Sequence, residues 1–154
     1  MKRGISFELP NRYGTLLSNV LKPIDIATYS WKIGSGESYK IKNNELNNDL
    51  FLDNKKVIEG IDFKRLIENN RYYLIFVELQ AHPKGRIVEI NNYDEFLRSD
   101  CELVLLVVDS CYVSIYCRDK SKLETLYNNV QNYGFKGVEY ITNENDTRTT
   151  LSVW

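Results

Sequence analysis

Leu103-Val104-Leu105-Leu106-Val107-Val108-Asp109-Ser110 is an apolar run that meets a turn, and Cys111-Tyr112-Val113-Ser114-Ile115-Tyr116-Cys117 continues as an alternating strand. Ser121 and Glu124 then stand at capping-box spacing. Leu123, Leu126, Tyr127, Val130 and Tyr133 form the apolar stripe of a helix that Gly134 closes at C′. Residues 138–142 and 149–154 read as two more strands, joined by the Asx-rich turn Asn143-Glu144-Asn145-Asp146-Thr147-Arg148. The order β-β-α-β-β predicts an α+β fold, a largely antiparallel sheet with helices packed mainly on one face.

The same pattern extends toward the N-terminus. Ile5, Phe7 and Leu9 alternate as one face of a strand that Pro10 ends. Asn11 stands as N-cap to a helix carrying Tyr13, Leu16, Leu17, Val20 and Leu21, which Pro23 stops. Strands through Tyr29, Trp31 and Ile33 and around Tyr39 and Ile41 read as a hairpin across Gly34-Ser35-Gly36. Residues 43–60 are Asn-rich and charged, which predicts a long surface excursion with one short strand near Leu50 to Leu52. A short helix capped by Asp62 follows. Residues 72–81 are apolar at nearly every position, as in a strand covered on both faces. Pro83 and Gly85 make a turn, and Asn92 with Glu95 caps a helix through Phe96 and Leu97.

The chain has 154 residues, the size of a single domain spanning 1–154, and folding would remove about 70% of its unfolded surface from water. Its 43% apolar and 27% charged residues are those of a globular protein. Net charge is −1, with Lys and Arg spread along the chain, so the electrostatic footprint of a nucleic-acid binder is missing. Neither the apolar core of a secretory signal nor the ~18 apolar residues of a membrane span is present, so the expectation is a cytoplasmic protein. Cys101, Cys111 and Cys117 contain no C-x-x-C pair and suit reduced thiols.

No constellation has the spacing of a known catalytic or metal site, and the sequence implies neither a cofactor nor a metal. His82, the only histidine, reads as an exposed turn residue, and imidazole chemistry would have to use it. Cys111 and Cys117, six apart on one strand, would be separated by roughly 20 Å at ~3.3 Å per residue, beyond disulfide reach. Gly34-Ser35-Gly36 lacks the rest of a phosphate loop and reads as a turn. The Asn143 to Arg148 segment lacks the glycine and terminal glutamate of a calcium loop, and Asp146 with Arg148 reads as a surface ion pair. Exposed aromatics such as Trp31, Tyr72, Tyr93 or Tyr116 would anchor a partner.

Two further segments carry a resemblance. Lys2-Arg3-Gly4-Ile5-Ser6-Phe7-Glu8-Leu9-Pro10-Asn11, and Glu139 to Arg148 followed by Leu151-Ser152-Val153-Trp154, resemble a family of small Bacillus-type Firmicutes proteins catalogued as a domain of unknown function. The resemblance runs the whole length. It implies a bacterial, single-domain, cytosolic protein and transfers no catalytic residue. The expectation is a non-enzymatic binding or interaction module, immunity-like or regulatory, partnered by another bacterial protein and contacting it through Trp31, His82, Asp109, Asp146 or Arg148. The alternative is an enzyme or small-molecule receptor whose site assembles across the sheet from Glu78, His82, Asp109 and Arg148.

Overall fold

The computed structural model describes residues 1–52 and 56–153. Strand β1 (Lys2–Glu8) and helix α1 (Leu16–Val20) lead into strands β2 (Tyr29–Ile33), β3 (Glu37–Lys42), β4 (Glu45–Asp49) and β5 (Val57–Glu59). Helix α2 (Gly60–Glu68), strand β6 (Tyr72–Pro83) and helix α3 (Tyr93–Arg98) come next. Strands β7 (Leu103–Val108) and β8 (Tyr112–Cys117), helix α4 (Lys120–Asn132) and strand β9 (Lys136–Thr142) complete the order. The nine strands form an antiparallel sheet of order β4-β3-β6-β7-β8-β1-β9, with β2 joining β6 to β5.

The uniform apolarity of 103–108 has a direct cause, since β7 is buried on both faces. Leu103, Leu105 and Val107 enter the larger core with α1, α2 and α4, whereas Val104 and Leu106 enter a smaller one with Phe96 of α3. Three helices thus cover one face and one helix the other, as the α+β reading requires. The cap at Asn92 forms as expected, its side chain accepting from the Glu95 N–H at 2.9 Å. Gly134 adopts φ +77°, and the Phe135 N–H donates to Val130 O in the Schellman closure of α4.

Several expectations need correction. Asp119 caps α4 in place of Ser121, accepting from the Ser121 and Lys122 N–H groups at 2.8 and 3.1 Å. Helix α1 is shorter than its apolar stripe, because the Gly14 backbone is paired with Tyr72 outside the helix, and its N-cap is Thr15 and not Asn11. Within the excursion at 43–60, residues 45–49 and 57–59 are strand while Leu50 to Leu52 are not, and Asn43 and Asn44, both at positive φ, turn β3 into β4. The C-terminal unit ends as β-β-α-β, because residues 149–153 take no sheet position and instead lie over the smaller core with Leu151 buried. Trp154 lies outside the described residues.

The hairpin expected across Gly34-Ser35-Gly36 does not form. β2 and β3 run one after the other along the same edge of β6, β2 against residues 79–83 and β3 against residues 72–76. Opposite the glycines, the register jumps from Glu37↔Phe76 to Ser38↔Leu74. On β6, Leu74 and Val77 both face the larger core, so Ile75 and Phe76 form a bulge between them. Both strands bend at this place. A Cβ on Gly36 would lie 2.3 Å from Phe76 O, and one on Gly34 would collide with the Glu78 side chain, so glycine is what lets the two chains pass.

A candidate ligand cleft at the break in the sheet

Bending two adjacent strands at one level opens the surface beside them. Two cavities of about 370 and 460 Å³ meet there, sharing Ile33, Gly34, Ser35, Lys56 and Glu78. The first lies toward β3 and β4. Its wall includes Glu37, Tyr39, Asp49, Phe51 and Phe76. The second lies over the opposite half of the break, with Lys32, Gln80 and Glu89 among its polar lining. Its rim is built by residues 89–91 and 150–152, held together where the Leu151 N–H donates to Asn91 O at 2.9 Å. Glu78 ties down the same strap by accepting from the Val153 N–H at 2.8 Å.

Charge in the cleft is left available. Among the described residues, Lys32, Lys56, Asp49 and Glu89 take part in no ion pair, the pairs being Arg3–Asp146, Arg86–Asp100 and Lys122–Glu102. Tyr39 donates its hydroxyl to Glu37 Oε2 at 2.7 Å, and that bond raises the phenol's pKa. Neither cavity is lined by a histidine or a cysteine, so general acid–base or nucleophilic chemistry in either would rest on carboxylates, lysines or hydroxyls.

The residues singled out from sequence are dispersed. Trp31 is fully buried, stacked on Phe63 with ring centroids 4.5 Å apart and donating Nε1–H to Ile26 O at 3.0 Å, so it is core and not a surface anchor. Tyr72 and Tyr116 are buried as well. His82 is no exposed turn residue: it belongs to β6 and is fully buried. Its Nε2 lies 2.9 Å from Gln80 Oε1, and Nδ1 is buried with no hydrogen-bond partner. Burial, helped by Lys32, lowers its pKa to about 4.

Asp109 occupies the β7–β8 turn at φ +51°. That turn bonds to Ile75 through the Ser110 N–H, seven residues along β6 from His82, or roughly 23 Å at ~3.3 Å per residue. Asp109 therefore does not join Glu78 and His82. Asp146 is buried beneath the Asx turn, accepting from the Tyr116 hydroxyl and pairing with Arg3 at 3.2 Å. Arg148 does not form the expected surface pair with the Asp146 carboxylate through its side chain. Its guanidinium donates to Ser152 O at 2.7 Å, and only its backbone N–H reaches Asp146. Of the set weighed from sequence, Glu78 alone lines the cleft.

Lys32, Lys56, Glu37 and Asp49 carry no motif and were invisible as a group. The nearest signal was Gly34-Ser35-Gly36, whose glycines sit opposite a register jump that only strand pairing exposes.

The three cysteines are free thiols. Cys101 and Cys117 are buried, which pushes each thiol up to about 12, and Cys111 is half-buried at the β7–β8 turn. No described helix is long and apolar enough to cross a membrane.

Comparison with known proteins agrees with the whole-length resemblance. The chain is 48% identical to Uncharacterized protein YncE of Bacillus subtilis (strain 168) over 154 residues, covering 99% of this chain and 100% of that one. No solved structure matches it. Residues 2–152 match a family described as Protein of unknown function (DUF2691), and the chain belongs to that family.

Proposed function

We propose that this is a non-enzymatic, cytoplasmic binding module that takes a small polar ligand in the cleft at the sheet break. The observation that carries the reading is the convergence of unpaired charges of both signs, Lys32 and Lys56 against Asp49 and Glu89, around two joined cavities. Concave sites with a few convergent polar groups are where small ligands bind.

A protein partner is the second reading, favoured by the β4–β5 edge of the sheet. All five residues of β4 are exposed there, and Leu46, Leu52 and Val57 are among the exposed apolar side chains. Native mass spectrometry of the protein purified gently from a Bacillus-type host separates the two readings. A retained small mass that Lys32→Glu and Lys56→Glu remove supports the cleft. A stoichiometric protein partner with an empty cleft supports the edge and overturns the first reading.

A further inference from the structure

We infer that the first cavity of the cleft is a site for an organic ammonium group, an inference that rests on the cleft being a ligand site. The strand register gathers the necessary groups. Glu37 stands opposite Phe76 across the β3–β6 ladder, and Tyr39 stands opposite Asp49 across β3–β4. The bulge turns Phe76 out of the larger core toward the cavity, and Glu78, two residues on, lines the same wall. Phe51, stacked on Phe63 at 6.2 Å, adds a third aromatic ring to Tyr39 and Phe76.

Among the described residues the cavity therefore combines three aromatic residues with three carboxylates, Glu37, Asp49 and Glu78, against the single ammonium of Lys56. Ring faces and carboxylates both attract a cation, and a weakly hydrated alkylammonium gains from the rings where a strongly hydrated inorganic ion does not. Lys56 stands at the junction with the second cavity. The ammonium end of a ligand is thus directed away from the junction, toward Asp49 and the rings.

The test is isothermal titration of the whole protein with choline and with its uncharged isostere, 3,3-dimethyl-1-butanol, at low ionic strength. Choline should bind about tenfold or more tightly than the alcohol, the factor expected of one or two cation–π and carboxylate contacts. Asp49→Asn and Glu37→Gln, both at exposed positions, should each weaken choline severalfold while leaving circular dichroism unchanged. Lys64→Met, exposed on α2 and outside both cavities, should leave choline binding as it is. Equal affinity for choline and the alcohol, binding of neither, or displacement of choline by equimolar magnesium chloride overturns the proposal. A retained small molecule in native mass spectrometry together with any of these results removes the ammonium assignment and leaves the cleft reading standing.

Discussion

Arg3 and Asp146, 143 positions apart in the chain, meet at 3.2 Å with the aspartate side chain only 5% exposed. Arg3 also donates Nε–H to Asn143 Oδ1 at 2.8 Å and lies over the Tyr93 ring, 4.2 Å from its centroid. Asp146 in turn accepts from the Tyr116 hydroxyl. The two terminal segments that carry the family resemblance are thereby one physical unit, paired strand to strand as β1 and β9 and locked side chain to side chain. Asp146→Ala leaves a partly buried guanidinium and a buried phenol without their acceptor. It should cost about 2–3 kcal/mol in urea unfolding, near the lower end for breaking a buried pair. A double-mutant cycle with Arg3→Met should return a coupling of about 1 kcal/mol or more.

Gly36 and Gly14 make a matched pair. A methyl at 36 would lie 2.3 Å from the Phe76 carbonyl oxygen, whereas one at 14 would approach nothing closer than Leu16 Cγ at 4.0 Å. Gly36→Ala should lower stability by about 2 kcal/mol or more and disturb the cleft, while Gly14→Ala should stay within about 0.5 kcal/mol of the parent protein. Denaturant midpoints of the two variants decide it.

His82 makes stability depend on pH in a stated direction. Its pKa falls from 6.5 in the unfolded chain to about 4 in the fold, so below pH 6.5 the unfolded state takes up a proton that the native state refuses. The stabilisation is fully present above pH 6.5 and is lost as pH falls toward 4. Between pH 7 and pH 5 the loss is on the order of 2 kcal/mol. Replacing His82 with Asn should flatten that part of the profile, as urea melts at the two pH values would show. An equally steep profile in the variant would assign the effect to other groups.

The three thiols should separate by reactivity. Burial and pKa values near 12 keep Cys101 and Cys117 protonated and shielded, whereas Cys111 is half-buried in a turn. An aromatic disulfide reagent at pH 8 should titrate one thiol in the native protein and all three after denaturation. Cys111→Ser should abolish the native signal.

Arg118 ends α3 from outside the helix. Its Nη2 donates to the carbonyls of Phe96, Leu97 and Ser99, and Nε donates to Cys101 O at 3.1 Å. A cation over the last turn of a helix meets its negative end. Arg118→Met should cost about 2 kcal/mol and speed hydrogen exchange in residues 96–101, because several carbonyls lose a charged donor together.

Much of the fold was legible because its cause is local. Ile5, Phe7 and Leu9 alternate, and all three are buried. Leu123, Leu126 and Val130 recur at helical spacing and form the buried face of α4. Asn92 and Gly134 act at the helix ends where their chemistry is needed, within a few residues of the groups they satisfy. Apolar density marked β6 and β7 as strands, but only β7 enters both cores; the buried apolar residues of β6 all enter the larger one, and its other face lines the cleft.

The cleft and the fate of the candidate residues were settled at longer range. Nothing near Gly34-Ser35-Gly36 in the chain distinguishes a hairpin turn from a bend between two strands laid along one neighbour, and only pairing with β6 selects the bend. His82 sits beside a proline and a glycine, which read locally as a turn, yet its strand continues to Pro83 because Ser30 and Tyr29 lie opposite and complete the ladder. Trp31 and Tyr116 offer the same side chain to solvent or to a core, and which one they meet depends on helices and a strap far away in sequence. Periodicity and end chemistry act over a few residues and are written in the chain's order. Register, bulges and the meeting of charges across a broken sheet arise from contacts between distant segments, and these the tertiary structure alone decides.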